Sequence, residues 1–262
     1  GISPGGLMSD AEAYGNLDKD RNAMFLECIN MVLDIWKGQP PYDLKGEFFS
    51  VTTGKTMIPE IGQGEIPKPF QAPHPPIVGT VVAPFSKGIT AMAARGWEAI
   101  SGNFRLPKWV ATHWPKYVEG CEIAGRKADP ANWRIAKNIC VAEDMATAKR
   151  YAREPGSPYH LYYSQLLTKM RKGGRLNLFK QDQEMPDDDV TLDYVLDKLV
   201  IHGDPSSVAD QVLAFREETG DFGHLVYAGH DWTDYDLGRN SMILMAEKVM
   251  PKINDALKAE AA

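Results

Sequence analysis

At 262 residues, 44% hydrophobic and 24% charged, the chain can bury the core of one large domain or two small ones. Its net charge of −6 speaks against a general nucleic-acid binder, which would carry a basic face. Cys28, Cys121 and Cys140 form no disulfide framework and no CxxC pair, so each is read as a small buried hydrophobe in a reducing compartment.

No run approaches the roughly 20 apolar residues that cross a bilayer. The opening Gly1-Ile2-Ser3-Pro4-Gly5-Gly6 lacks the basic start and apolar core of a signal peptide. The expectation is a cytoplasmic protein engaging neither membrane nor nucleic acid. Residues 1–6 read as the exit of a strand. After a polar stretch to Asn22, Phe25, Cys28, Ile29, Val32, Leu33 and Trp36 recur at three and four, the stripe of an amphipathic helix. Gly38-Gln39-Pro40-Pro41 ends it, because proline cannot continue the hydrogen-bond ladder. Residues 42–76, rich in Gly and Pro, read as a long excursion rather than a compact element.

Residues 76–83 form a short, apolar, β-branched run, as expected of a strand covered on both faces. A helix is predicted over 90–95, a strand over 99–103, a helix over 108–124, a strand over 133–141 and a helix over 144–153. Asp204-Pro205-Ser206-Ser207 starts another helix, since Asp caps free amides and Pro fits the first helical position. Val208, Val212 and Phe215 line its apolar side and Gly220 stops it. The last strand is predicted over 222–228 and the last helix over 237–253.

Strands alternating with helices predict an α/β fold with a parallel sheet. Residues 154–192 interrupt the rhythm, first aromatic (Tyr159, Tyr162, Tyr163), then basic (Lys169, Arg171, Lys172, Arg175), then acidic (Asp187, Asp188, Asp189). The expectation is one domain over residues 1–262 with a long insertion at about 154–192.

The strongest local signal is the strand running into Ala83-Pro84-Phe85-Ser86-Lys87-Gly88 and a helix. Backbone amides and the positive end of a helix at such a turn favour a phosphate. Ser86 adds a hydroxyl, Lys87 a charge, and Gly88 room for close approach. On the residues alone, a plain connection is the competing reading.

Several stretches taken together resemble the bacterial-luciferase-like family of flavin-dependent monooxygenases. Gly1-Ile2-Ser3-Pro4-Gly5-Gly6-Leu7 with Tyr14-Gly15 resembles that family's fourth strand and exit loop. Trp36-Lys37-Gly38 followed by Tyr42, Gly46 and Phe48-Phe49 resembles its extended aromatic hairpin. The turn at 83–88 matches its fifth-strand phosphate site, and the run from Leu199 to Pro205 resembles its "G-[ST]-P" helix start. Ala228-Gly229-His230-Asp231-Trp232 resembles the last strand's exit in the branch containing limonene- and diketocamphane-type monooxygenases.

The resemblance implies a TIM-type (β/α)8 barrel with its site at the C-terminal ends of the strands. It implies FMN, supplied reduced by a separate flavin reductase, acting with O2 on a small apolar carbonyl or alkene substrate. The protein then supplies orientation and a dry pocket. A homo- or hetero-dimer is also implied. The flavin contacts it implies are Val82, Ala83, Phe85, Ser86, Lys87 and Gly88, with Ser3 beside the ring. Pro4 stands where luciferase has a phosphate-binding arginine. Roughly the first three to four strands of the barrel, on the order of 100 residues, are expected to precede Gly1.

His230, just after the last strand, is the candidate catalytic residue, with Asp231 and Trp232 beside it. Asn103 and Phe104, at another strand exit, are pocket candidates. His160 reads as part of a surface loop, His202 and His224 as structural, and Trp97, Trp109, Trp114 and Trp133 as core. His74 and His113 have no partner at metal-ligand spacing, and no metal is expected. No Walker motif and no G-x-G-x-x-G occurs. Two rival readings remain: a deazaflavin-dependent oxidoreductase on the same fold, and a non-catalytic barrel subunit.

Overall fold

The computed structural model describes residues 1–230 and 233–260. The chain divides into two compact units, Gly1–Val78 and Gly79–Ala262. The first holds helices α1 (Met8–Ala13) and α2 (Arg21–Lys37) and an antiparallel hairpin of β1 (Asp43–Lys45) and β2 (Ser50–Thr52). The Asp20 carboxylate caps α2 by accepting from the Asn22 and Ala23 amides, which otherwise lack intrahelical acceptors. Within this unit the Ile2 amide donates to the Val78 carbonyl at 2.9 Å.

Two readings made from the residue pattern alone are corrected for this unit, while the aromatic hairpin that the resemblance implies is present. Residues 42–76 contain the hairpin. It escapes pattern reading because each strand is three residues long with its ends exposed. Its turn is fastened from outside: the Glu27 carboxylate of α2 accepts from the backbone amides of Glu47 (2.8 Å), Phe48 (2.9 Å) and Phe49 (2.7 Å). A β-carbon on Gly46 would run into that carboxylate, which explains the glycine. Cys28 is exposed rather than buried, because it lines an open cavity with Phe25 and Phe49. Cys121 and Cys140 are buried as expected.

The second unit is built on five strands: β3 (Val78–Val81), which starts on the last residue of the first unit, β4 (Glu98–Ser101), β5 (Arg134–Val141), β6 (Val200–Gly203) and β7 (His224–Tyr227). β3 neighbours β4, and β4 neighbours β5. The first half of β5 pairs in parallel with β4 and β7, and its second half with β6. Around them lie α3 (Lys87–Ala94), α4 (Pro107–Ala111), α5 (His113–Ile123), α6 (Met145–Arg153), α7 (Pro158–Lys172), α8 (Leu192–Leu199), α9 (Pro205–Thr219), α10 (Tyr235–Leu244) and α11 (Met250–Glu260). This is the α/β architecture expected from the sequence.

Ile139 and Val141 of β5 pack on Val208 and Val212 of α9 and on Leu244, Val249 and Ile253 beyond it. Fully burying an aliphatic side chain of this size contributes roughly 1.5–3 kcal/mol. Asp204 caps α9 from the Ser206 and Ser207 amides, and Gly220 closes it at φ +94°. Side chains alternate across a strand, so Asn138 and Cys140 face away from α9. Cys140 joins a second core with Tyr159, Tyr163 and Leu199.

Two predicted helices are broken by proline. The helix over 108–124 is two, divided at Thr112, because Pro115 clashes with the carbonyl four residues back. The helix over 237–253 passes through a π-helical turn at Met245–Val249 just before Pro251, which takes up the same clash. His160 lies on α7 rather than in a loop. Pro158 opens that helix and Ser157 caps it by accepting from the His160 amide.

Candidate functional site

The βα turn at residues 83–88 leaves β3 and enters α3. Phe85 sits in the left-handed region at φ +51°, the one non-glycine residue with positive φ among the described residues. Its ring is exposed, and its amide donates to Thr112 Oγ1 at 3.0 Å. Ser86 is the N-cap of α3, yet its hydroxyl makes no capping bond. The first-turn amides of α3 have no intrahelical acceptors, as at any helix start. A left-handed kink, an uncommitted serine hydroxyl and a helix N-terminus together suit a phosphate, so the turn fits the flavin phosphate the resemblance implies. A β-carbon at Gly88 would meet only Ser86 Oγ at 3.3 Å, so the kink rests on Phe85 and not on the glycine.

Behind the turn lies a buried chain of side chains. Trp133 Nε1 donates to Ser101 Oγ at 3.0 Å, Ser101 Oγ lies 2.9 Å from His113 Nδ1, and His113 Nε2 lies 3.1 Å from the Ala83 carbonyl. Ser101 and His113 are fully buried. Burial pulls the imidazole pKa down to about 4, against the raising effect of the Ala83 bond, with nearby Arg105 lowering it further. His113 is therefore neutral at pH 7. Close packing of α3 on α5 sets this spacing: at Gly120 a β-carbon would collide with the Thr90 carbonyl and Ala93.

A second cluster forms where β4, β5 and β7 meet α7. Asn103 Nδ2 donates to Asn138 Oδ1 (2.8 Å) and to Tyr162 Oη (3.4 Å), and Asn138 Nδ2 donates to Tyr163 Oη (2.7 Å). The His230 ring stacks on Tyr162, with centroids 4.2 Å apart, and meets Tyr159 edge-on at 5.4 Å. Tyr159 Oη donates to the Ile139 carbonyl. Burial raises the Tyr159 and Tyr163 phenols well above their ordinary range, so they stay protonated. Among the described residues the contacts in this cluster are aromatic rings and amide groups, a lining suited to an apolar molecule.

Val82, Ala83, Phe85, Ser86, Lys87 and Gly88 thus share one turn, and His230, Asn103 and Phe104 stand at strand exits of the same unit. Phe104 packs edge-on to Phe179. Ser3 lies in the first unit, lining a cavity of about 280 Å³ with Leu7, Met24 and Phe25. Asp231 and Trp232 lie outside the described residues. Trp97 and Trp133 are buried, and Trp114 stacks between Tyr117 and Trp133, as core residues do. His202 is tied locally to the Val200 carbonyl.

Sequence reading missed His113 and Ser101, the asparagine pair, and two buried cations. Arg105, 1% exposed, donates to the Leu178 carbonyl; Lys137, 2% exposed, lies 4.7 Å from the Phe215 ring centroid. Among the described residues no group of three or more His, Cys, Asp and Glu side chains could hold a metal ion, and no helix is long and apolar enough to cross a membrane.

A parallel sheet whose exits carry a phosphate-type turn and an aromatic cluster defines a barrel-type α/β fold with its site at the strand ends. Residues 1–221 match the luciferase-like monooxygenase family, and the chain belongs to that family. It is 24% identical over 250 residues to 3,6-diketocamphane 1,6-monooxygenase of Pseudomonas putida, covering 94% of this chain and 65% of that protein. It is 23% identical over 258 residues to limonene 1,2-monooxygenase of Rhodococcus erythropolis, covering 98% and 61%. The chain thus spans just under two-thirds of the length of these relatives. Its fold matches the oxygenating constituent of 3,6-diketocamphane monooxygenase from the Pseudomonas putida CAM plasmid, a type II Baeyer-Villiger monooxygenase solved in complex with FMN. The TM-score is 0.79 at 24% identity, covering 96% of this chain and 70% of that one.

Proposed function

We propose that the chain belongs to a flavin-dependent monooxygenase that uses reduced FMN and O2 to oxidise a small apolar carbonyl or alkene compound. The observation that carries this reading is the turn at 83–88, with the Ser86 hydroxyl uncommitted at the N-terminus of α3 and Phe85 in the left-handed conformation. Ser86 and the first-turn amides would hold the phosphate, with Lys87 adding charge. Bound reduced FMN supplies the electrons with which one oxygen atom of O2 enters the product and the other leaves as water.

The residues around His230 then have a restricted task. Tyr162 and His230 form an aromatic wall, Asn103 presents an amide beside the Tyr162 hydroxyl, and the packed rings hold an apolar substrate and exclude water. FMN reduced by a separate flavin reductase fits a chain of this family, and assembly as a dimer is part of the same proposal.

The test is isotopic. The protein, a flavin reductase, NADH, FMN and a cyclic monoterpene ketone are incubated under ¹⁸O2. One labelled oxygen in the product supports the proposal. Unlabelled product, or oxidation of substrate only with a deazaflavin, points instead to hydride transfer.

A further inference from the structure

The Trp133–Ser101–His113–Ala83 chain has a direction that its donors dictate. An indole N–H only donates, so Ser101 Oγ accepts from Trp133. At the other end the Ala83 carbonyl can only accept, so His113 Nε2 carries the imidazole proton and donates it there. Nδ1 of the neutral ring is then the acceptor, and the Ser101 hydroxyl donates to it. Its three side chains are buried away from competing water, with Trp133 1% and Ser101 and His113 0% exposed, and the chain ends on the backbone carbonyl of exposed Ala83.

Ala83 is the first residue of the phosphate-type turn. Thr112, the residue before His113, holds the same turn at Phe85: its Oγ1 accepts from the Phe85 amide at 3.0 Å and donates to the Trp109 carbonyl at 2.7 Å. Two consecutive residues thus grip the turn on either side of Pro84. The kink they hold is one that a bulky side chain resists, since Phe85 has φ +51°. The consequence of this chain of bonds is the orientation of the Ser86 hydroxyl and the α3 amides.

We propose that His113 is a positioning residue, whose neutral Nε2–H tautomer, set by the Ala83 carbonyl and complemented by the Ser101 hydroxyl, fixes the 83–88 turn in its phosphate-binding form. The inference rests on the reading that this turn takes the flavin phosphate. It adds that the turn's affinity is set from behind by a residue that touches no ligand. The low imidazole pKa, about 4, keeps both ends of the chain satisfied across the physiological range.

The experiment compares FMN with riboflavin, which lacks the phosphate, by fluorescence titration of the wild-type protein, His113→Leu and His113→Gln. Losing a positioning hydrogen bond is expected to cut the preference for FMN over riboflavin about tenfold in His113→Leu. Riboflavin affinity should change less than about twofold, and His113→Gln, whose amide can still donate toward Ala83, should restore most of the preference. A folded His113→Leu that keeps the full preference overturns the inference and leaves the phosphate reading standing. Equal affinity of the wild type for FMN and riboflavin overturns the phosphate reading, and the inference with it. Should His113→Leu not fold, ¹⁵N spectra of the wild-type imidazoles decide. A neutral Nε2–H tautomer that responds to FMN but not to riboflavin supports the inference, and an Nδ1–H tautomer or an equal response overturns it.

Discussion

The imidazole of His230 lies over the ring of Tyr162, with centroids 4.2 Å apart and planes 30° from parallel. One residue leaves the last strand and the other comes from the helical insertion, so the stack joins two segments about seventy positions apart. A stacked pair of this kind contributes roughly 0.5–1.5 kcal/mol beyond its burial. Tyr162→Ala is therefore expected to lower kcat/KM on the order of tenfold. Tyr162→Phe, which keeps the stack and loses only the 3.4 Å contact from Asn103, should stay within about threefold of the wild type. FMN affinity should be unchanged in both, as read by steady-state kinetics beside flavin titration.

The Glu27 clasp makes its own prediction. Desolvation pushes this carboxyl upward, but the bonds from the Phe49, Phe48 and Glu47 amides outweigh it and hold the pKa below the ordinary 4.5. A carboxyl lowered on folding stabilises the native state above its unfolded pKa, and that contribution is lost as pH falls below about 4.5. Glu27→Gln should lower Tm at pH 7 and flatten the acid limb of a Tm-against-pH curve. Gly46→Ala should lower Tm more, because its β-carbon displaces the carboxylate from all three donors.

Much of the fold was legible because hydrophobic period and capping act locally. Asp204, Pro205 and Gly220 bound α9 as read, and the apolar runs gave β3 and β5. The insertion hid its helix: Tyr159, Tyr163 and Leu167 are a four-residue stripe, but the aromatic, basic and acidic blocks around them obscured it. The βα turn at 83–88 was legible because its residues are contiguous. His113 was not, since its partners Ala83, Ser101 and Trp133 lie 30, 12 and 20 positions away and meet only through the sheet and helix packing. The asparagine pair was hidden for the same reason.

His113 gives a pH signature. Its folded pKa of about 4 lies below the ordinary 6.5, so the unfolded chain takes up a proton first as pH falls. Stability is full above pH 6.5 and declines as pH drops toward 4, by on the order of 3 kcal/mol for this residue. In His113→Gln that part of the decline should be missing, which urea unfolding at pH 7.5 and 4.5 measures.

Lys137 is a buried cation with no carboxylate at ion-pairing distance among the described residues, and burial draws its pKa down to about 8, with Glu218 acting the other way. Lys137→Met keeps the volume against Phe215 and removes the charge. It should stabilise the protein at pH 7 by roughly 1–2 kcal/mol. A depressed lysine pKa destabilises the fold fully below pH 8 and less as pH rises toward 10.5, so the gain should shrink at pH 10.

The central claim is that a flavin phosphate binds at the 83–88 turn, and calorimetric titration of the wild-type protein with FMN and with riboflavin tests it most directly. Charge-assisted bonds to a phosphate predict that FMN binds saturably and at least about tenfold more tightly than riboflavin. No binding of FMN to the folded protein, or equal affinity for the two flavins, would contradict it.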